Sequence, residues 1–377
     1  MSNYNVGFVG FGFIAKVHAY GYINLPLYYP SLSGKARITH VCAGHAQSAK
    51  LGAAQIGAEK ACTDYRDVTE DPDVDIVHIC TPNNLHKDAL LSAMRNNKHI
   101  YCDKPLTATM AEAEEIRAAL PSYAGTSQMT LQNRFFPATM RAKQLIDDGF
   151  LGKVLQFRAA YLHAGSADPS APLKWKLSSK YGGGVIADLG PHVLDLVQHL
   201  VGDFAEVAAS TQIAYPMRPS LEHPNEMATV DAEDAFTLLA HMVNGAHGSI
   251  EASKIATGAE DELRIEIHGS NGAIRFNGMD AHFLEVYDCQ AANEPIGGLR
   301  GWTQVATGQR YPSPANGFPS PKNSIGWMRG HMACLANFLQ DVVDGKPGDP
   351  GLVEGINLQQ VLDSVKRSAG ERTWVTI

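Results

Sequence analysis

An aspartate and a histidine, Asp188 and His192, stand four residues apart in the middle of the chain. On a single helix this spacing places both side chains on one face. A histidine with a pKa near neutrality can accept a hydroxyl proton, while a carboxylate beside it orients the imidazole and binds another hydroxyl. Glycines 182–184 suit a mobile or a closely packed approach to this helix. The alternative is a helix-capping aspartate beside a surface histidine, since Asp195 and His199 repeat the spacing.

A lysine occupies a second position where chemistry is expected. Lys104 lies between Asp103 and Pro105, directly after a short apolar run at 99–102. Pro105 disfavours helical backbone at the lysine, and open α/β sheets bind ligands at the carboxyl ends of their strands. An ammonium group there can donate a hydrogen bond to a hydroxyl or carbonyl oxygen of a substrate. The alternative is an ordinary lysine in a solvent-exposed turn.

A glycine-rich turn near the N-terminus predicts a nucleotide site. Residues 10–15 match G-x-G-x-x-A, with Gly10, Gly12, Phe13, Ile14 and Ala15 in the turn. The first glycine permits the tight turn, the second lets a pyrophosphate approach the backbone, and the small last residue lets the helix pack on the strand. Amides at the helix N-terminus then bind the anion. A glycine turn that binds nothing is the alternative.

The segment after the second predicted strand bears on which dinucleotide binds. NAD-preferring domains usually carry an acidic residue there for the ribose hydroxyls. This chain has Val-Cys-Ala-Gly-His at 41–45, with neither a carboxylate nor an arginine for a 2′-phosphate. His45 can stack on adenine or contact the ribose, or it can be an inert surface histidine. We predict NAD as cofactor and leave NADP open.

Two sets of elements must position these residues. Up to residue 125, apolar strands (5–10, 38–42, 74–80 and 99–102) alternate with helices (14–23, 46–56, 85–96 and 108–120), which predicts a Rossmann domain with a doubly wound parallel sheet. Between residues 126 and 377 the pattern indicates four strands, at 236–242, 247–252, 263–268 and 273–276. They form two pairs, each joined by an Asn-Gly turn. This arrangement predicts an α+β domain with a large, predominantly antiparallel open sheet. A long surface loop is predicted at 292–321. Helices are predicted at 328–344 and at 352–368, and the second of these can pack back on the first domain.

Composition excludes several classes of protein. The 377 residues, 45% hydrophobic and 19% charged, fit two globular domains, and a net charge of −8 argues against a nucleic-acid partner. No apolar run approaches the ~20 residues that cross a bilayer, and the N-terminus is typical of a strand and turn rather than a signal peptide. We therefore expect a cytoplasmic protein with no membrane partner. The six cysteines lack paired C-x-x-C spacing, which predicts no metal site and, for Cys80 and Cys102, buried free thiols.

Four segments occur together in an order that resembles the Gfo/Idh/MocA oxidoreductases, and the resemblance runs from residue 1 to the closing residues 372–375. The segments are residues 10–15, residues 81–86 (Thr-Pro-Asn-Asn-Leu-His), residues 103–105 and residues 182–195. The resemblance implies homo-oligomers, dimers or tetramers, assembled through the open sheet. It also implies a dinucleotide lined by Thr81, Pro82, Asn83, Asn84, His86 and Asn133, and by Asp103, where Glu is usual, near the nicotinamide ribose.

The same resemblance implies that Lys104, Asp188 and His192 form the catalytic group of an NAD(P)-dependent dehydrogenase or reductase. Its substrate would be a secondary alcohol of a sugar, cyclitol or glycoside. His163 and Trp175, with Tyr161 and Lys176, precede the catalytic helix and can line the substrate pocket, although Trp175 can equally be a core or interface residue. Two alternatives stay open: redox-assisted glycoside cleavage with a tightly held NAD, and a dinucleotide-sensing regulator without chemistry.

Overall fold

A computed structural model describes residues 2–223, 225–308, 310–311, 313 and 315–377. The chain forms two compact units. Unit 1 contains the chain up to Gln132 together with Tyr311–Ser320 and Met328–Gln359, and unit 2 contains Asn133–Arg310, Pro321–Trp327 and Gln360–Ile377. The sequence predicts one boundary, at residue 125, and each unit of the structure draws on separate segments of the chain.

The first part of unit 1 alternates strands with helices. Its strands are β1 (Ser2–Val9), β2 (Gly34–Cys42), β3 (Lys60–Cys62), β4 (Ile76–Ile79), β5 (His99–Cys102) and β6 (Ser127–Met129). Its helices are α1 (Phe13–Tyr28), α2 (Ala46–Ile56), α3 (Arg66–Thr69), α4 (His86–Arg95) and α5 (Met110–Ala119). The strands form one parallel sheet in the order β3-β2-β1-β4-β5-β6. This order confirms the predicted doubly wound sheet, whose central strand β4 is buried throughout.

Unit 2 is built on a second sheet. After α6 (Pro137–Asp147) come β7 (Val154–Leu162), α7 (Val185–Asp188) and α8 (Gly190–Val201). The remaining strands are β8 (Phe204–Gln212), β9 (Met217–Pro219), β10 (Met227–Thr229), β11 (Ala235–Met242), β12 (His247–Ser253), β13 (Glu262–Gly269), β14 (Gly272–Asn277), β15 (Phe283–Asp288), β16 (Trp302–Ala306) and β17 (Val375–Thr376). Two long helices precede β17: α9 (Trp327–Asp344), which belongs to unit 1 from Met328 onward, and α10 (Leu352–Glu371), which belongs to unit 2 from Gln360 onward.

The large sheet of unit 2 has nine strands in the order β16-β15-β14-β13-β7-β12-β11-β8-β17. Its pairings are antiparallel except for β7 with β12, which confirms a predominantly antiparallel sheet. Buried and exposed residues alternate along β11, because α7 and α8 contact one face of the sheet and the other face is open.

Several details differ from the predictions. The predicted elements do not include strands β3, β6, β7, β8, β9, β10, β15 and β17 or helices α3 and α6. The predicted loop at 292–321 contains β16, an edge strand. Most of its residues are exposed, so buried and exposed residues do not alternate along it. Gln309, Pro312 and Pro314 of that loop lie outside the described residues. The single helix predicted for Asp188 and His192 is wrong: α7 ends at Asp188 and α8 begins at Gly190, because Pro191 has no N–H to continue the first helix.

The core of unit 1 contains a pair of buried histidines. His78 Nε2 lies 2.8 Å from His18 Nδ1, and Cys80 Sγ lies 3.6 Å from the same atom. Imidazole and thiol groups at such distances are able to ligate a metal, but the 2.8 Å separation of the two nitrogen atoms is that of one N–H shared between two neutral imidazoles. Burial lowers the pKa of His18 to about 4 and holds that of His78 well below its usual value. Cys80 and Cys102 are buried free thiols, as predicted.

The core of unit 2 contains an ion pair. Arg134 donates to both carboxylate oxygens of Asp195 in α8, with Nη2 2.6 Å from Oδ1 and Nε 2.9 Å from Oδ2. The side chains are only 13% and 4% exposed. A two-point contact between a guanidinium and a carboxylate fixes both groups in position. The pair therefore ties the segment before α6 to α8, on which His192 lies.

We expect loss of this pair to be costly. Arg134→Ala removes this two-point contact from the buried carboxylate of Asp195, and this should lower the free energy of unfolding by about 3–5 kcal/mol. The matched control is Lys143→Ala, which breaks the exposed ion pair with Asp147 on α6 and should cost less than about 1 kcal/mol. Urea unfolding followed by circular dichroism measures both. Equal effects of the two substitutions would contradict the assignment.

The pKa of His18 predicts a pH dependence of stability. Between the unfolded value of 6.5 and the folded value of about 4, the unfolded chain binds a proton that the folded chain does not. The contribution of His18 to stability is therefore complete above pH 6.5 and declines as the pH falls toward 4. His18→Gln should flatten the dependence of the urea midpoint on pH between these values, whereas the exposed His247→Gln should not. An unchanged slope in His18→Gln would refute this.

Candidate active site

The turn after β1 has the geometry of a phosphate site. Gly10 has φ +90°, and a Cβ there would lie 2.6 Å from the carbonyl oxygen of Cys80, so only glycine fits. Gly12 is the N-cap of α1, and a Cβ on it would meet no described atom within 4 Å. Open space directly before the N-terminus of a helix is where a phosphate group binds. The turn therefore fits a pyrophosphate, as the sequence predicts.

The segments after β4 and β5 lie against each other through His86. Its Nε2 lies 2.9 Å from the Thr81 carbonyl oxygen and its Nδ1 lies 3.0 Å from that of Pro105. The ring is fully buried, so His86 holds these two segments together. Thr81 Oγ1 and Asn84 Oδ1 are buried with no hydrogen-bond partner among the described residues. Such orphaned polar atoms fit the hydroxyl, phosphate and amide groups of a dinucleotide.

Other predicted cofactor residues lie at the carboxyl ends of strands in unit 1. The Asp103 amide donates to the Ile79 carbonyl oxygen at 2.9 Å, which places Asp103 and Lys104 directly beyond β5. The ammonium of Lys104 acts on His331 in α9, whose pKa is held well below its usual value by burial first, then by the charge of His18 and then by that of Lys104. His45 is the exposed N-cap of α2 just beyond β2, and its side chain makes no capping bond. Asn133 belongs to unit 2 and is not among this group.

In unit 2 the carboxylate of Asp188 is bound by two lysines. Lys176 Nζ lies 2.8 Å from Oδ1 and Lys254 Nζ lies 3.0 Å from Oδ2. The backbone reaches this arrangement through Gly184, whose φ is +108° and whose Cβ would lie 2.3 Å from Glu233 Oε1. The Gly184 amide donates to the Lys176 carbonyl oxygen at 2.9 Å. Glycine is therefore required where the lysine segment meets α7, which confirms the predicted close approach.

His192 is buried, with 8% exposure, so the alternative of a surface histidine is wrong. Its ring contacts that of Tyr161 edge-on, with centroids 5.6 Å apart. Asp261 Oδ1 accepts hydrogen bonds from the Tyr161 hydroxyl at 2.6 Å and from His163 at 2.9 Å. Burial, then the charge of Asp261, raise the pKa of Tyr161 well above its usual value. Burial also acts to raise the pKa of Asp261, but the hydrogen bonds from His163 and Tyr161 outweigh it and lower that pKa.

Within unit 2, the structure brings most of the predicted substrate residues near one another. His163 is linked to His192 through Tyr161, and Trp175 is linked to Asp188 through Lys176, whose Nζ lies 5.9 Å from the Trp175 ring centroid. The Trp175 side chain is 36% exposed, which is not the burial of a core residue. Two residues of this region, Lys254 and Asp261, are absent from the predictions. The sequence signal that could have indicated Lys254 is its position directly after β12, but β7, one of the two strands that pair with β12, was not predicted.

The chain was compared with known proteins. The family model described as "Oxidoreductase family, NAD-binding Rossmann fold" matches residues 4–129, and that described as "GFO/IDH/MocA C-terminal domain" matches residues 139–275. The chain belongs to the Gfo/Idh/MocA family. It is therefore an NAD-binding oxidoreductase, and the resemblance stated from its motifs is confirmed.

Named members of this family are similar over the whole chain. Levoglucosan dehydrogenase of Pseudarthrobacter phenanthrenivorans is 31% identical and the match covers 100% of this chain and 99% of that protein. Inositol 2-dehydrogenase of Rhizobium meliloti is 26% identical over 98% of each. The solved structure of levoglucosan dehydrogenase in complex with NADH and levoglucosan has a TM-score of 0.94 at 30% identity, and covers 100% of this chain and 99% of its own. Among the described residues no helix is both long and apolar enough to span a membrane.

The space before Gly12 yields a test of the cofactor site. Gly12→Asp puts a negative charge where the pyrophosphate would lie, and should weaken NADH binding by at least about tenfold while leaving the thermal midpoint of unfolding nearly unchanged. Gly326→Asp, at another glycine with no described atom within 4 Å of its Cβ, is the matched control and should bind NADH as the wild type does. Fluorescence titration with NADH measures both. Undiminished binding by Gly12→Asp would place the cofactor elsewhere.

Proposed function

We propose that the protein is an NAD-dependent dehydrogenase that oxidises a secondary alcohol of a sugar or cyclitol, or reduces the matching ketone. The proposal is carried by two neighbouring polar groups of unit 2, one in which two lysines bind Asp188 and one in which buried His192 contacts Tyr161, whose hydroxyl shares Asp261 with His163. The charge of Asp188 helps to raise the pKa of Tyr161, which places the two groups near each other. Such a set offers both donors and acceptors, which is what several neighbouring hydroxyls require. Relatives named levoglucosan dehydrogenase and inositol 2-dehydrogenase support this substrate class.

Each of these residues has a separate role in the proposed reaction. In the oxidative direction His192 removes the hydroxyl proton, Lys104 donates a hydrogen bond to the reacting oxygen and stabilises its developing negative charge, and Asp188 positions both the substrate and His192. His163 and Trp175 contact the remainder of the substrate. NAD, when bound, supplies the acceptor for the hydride that leaves the carbinol carbon. The proton and hydride together account for the two hydrogens lost from the alcohol.

The cofactor is held by unit 1 in this proposal. The turn at Gly10 and Gly12 takes the pyrophosphate, Thr81 and Asn84 offer their orphaned oxygen atoms, and Asp103 lies on the nicotinamide side. Phe13, Ile14, His45, Pro82, Asn83 and His86 complete the proposed cofactor residues of unit 1, and Asn133, which belongs to unit 2, stays a prediction from the family resemblance. Unit 2 supplies the proposed substrate residues other than Lys104, and copies of the chain associate through the open face of its nine-stranded sheet. That face carries ion pairs such as Arg275 with Glu285, whose side chains are about one third exposed and can meet a second copy.

Removal of the acid–base residues tests the reaction. Lys104→Ala and His192→Ala should each lower kcat for NADH formation by about 100-fold or more, because a positioned proton acceptor or oxyanion donor is lost. NADH binding should be unchanged in both. Absorbance at the reduced nicotinamide band measures turnover of levoglucosan and myo-inositol, with Lys50→Ala and His247→Ala as exposed controls.

Three outcomes would count against the proposal. Full activity in either active-site variant would refute the assigned roles. NAD binding without turnover of any sugar or cyclitol would favour a dinucleotide-sensing regulator. Turnover of a glycoside without added NAD would favour redox-assisted cleavage with a retained cofactor.

A further inference from the structure

The two lysines that bind Asp188 differ in burial. Lys254 Nζ reaches Oδ2, and its side chain is 9% exposed, whereas Lys176 Nζ reaches Oδ1 from a side chain that is 49% exposed. Asp188 itself is 14% exposed. A buried ammonium is stable only beside a carboxylate or several acceptors, whereas an exposed one exchanges its partner for water at little cost. The two oxygens of Asp188 are therefore held with unequal strength.

Lys254 is held in place by the backbone on both sides. It follows β12 directly, its amide donates to the Asp234 carbonyl oxygen at 2.8 Å, and its own carbonyl oxygen accepts from the Ser166 amide at 2.8 Å. Its Nζ also lies 3.4 Å from the Lys176 carbonyl oxygen. With its backbone fixed and its ammonium enclosed, Lys254 has few alternative positions. The Oδ2 end of Asp188 is correspondingly fixed.

Lys176 has the opposite character. It lies in the short 3-10 turn Trp175–Leu177, which is part of an irregular segment between β7 and α7. Its long side chain extends past the Trp175 ring before it meets Asp188 Oδ1 at 2.8 Å. An ion pair of this exposure contributes little to stability, so a hydroxyl group can replace or share the contact at small cost. The Oδ1 end of Asp188 is the exchangeable end.

We propose that Lys254 is a positioning residue that fixes Asp188 through Oδ2, and that Lys176 shares Oδ1 with a substrate hydroxyl. The hydroxyl donates to Oδ1 while its oxygen accepts from the Lys176 ammonium. This arrangement selects a polyol with a free hydroxyl next to the reacting one, since a simple secondary alcohol offers nothing to either group. The inference rests on the proposed function, because it assigns roles in the same reaction.

Steady-state kinetics with NAD and either levoglucosan or myo-inositol separates the two roles. Lys254→Met should lower kcat about tenfold to 100-fold with little change in KM, because a displaced Asp188 misplaces the reacting groups. Lys176→Met should raise KM about tenfold with kcat nearly unchanged, because a substrate contact is lost. Lys254→Arg should recover part of the lost kcat. The exposed Lys180→Met, from the same segment, is the control and should behave as the wild type does.

A second measurement does not depend on activity. Double-mutant cycles in urea, with Asp188→Asn as the shared partner, should yield a larger coupling for Lys254 with Asp188 than for Lys176 with Asp188. If the wild type turns over neither compound, the proposed function fails for them, and the order of the two couplings still decides whether Asp188 has one fixed and one exchangeable end. Equal or reversed couplings, an unchanged kcat in Lys254→Met, or no recovery by Lys254→Arg would overturn the inference.

Discussion

Burying a charge is costly unless an opposite charge is buried with it, and this constraint organises unit 2. Asp195 is matched by Arg134, which ties the segment before α6 to α8, and Asp188 is matched by Lys254, which ties α7 to the end of β12. Both carboxylates flank His192 in the chain. The chain segment that carries His192 is thus held at two points that cannot move without separating buried charges. The pairs that stabilise this part of the fold also orient the residues proposed to act on the substrate.

Unit 1 meets the same constraint in a different way. Its buried histidines stay neutral, since burial lowers the pKa of His18 to about 4, and His78 shares a hydrogen bond with it. The polar groups of this unit that are proposed to bind the cofactor lie instead at the carboxyl edge of the parallel sheet. There the turn at Gly12 leaves open space before α1, and Thr81 and Asn84 keep unsatisfied oxygen atoms. Neutral buried histidines below a polar edge suit the binding of an anionic dinucleotide by local amides rather than by a basic surface.

Most of unit 1 was predictable from local patterns. Helix α2 and strand β5 have the predicted bounds, and the turn at residues 10–15 has the predicted geometry, because apolar period, glycine placement and strand length are local signals. Strands β3 and β6 were not predicted because each has only three residues. Strand β16 was not predicted because apolar and polar residues do not alternate along an exposed edge strand. The interruption between α7 and α8 was signalled by Pro191, but the spacing of Asp188 and His192 suggested one continuous helix.

The sequence by itself determined the two kinds of sheet, the glycine turn at residues 10–15, the family and the proposed catalytic residues Lys104, Asp188 and His192. Each of these depends on residues close together in the chain or on motifs in a fixed order. Only the tertiary structure decided what surrounds Asp188 and His192. Strand β7 pairs in parallel with β12, almost a hundred positions later, and the His163 amide donates to the Ser253 carbonyl oxygen at 2.8 Å. This pairing places Lys254 beside Asp188, and no local pattern encodes it, because the register of distant strands is set by packing of the whole sheet.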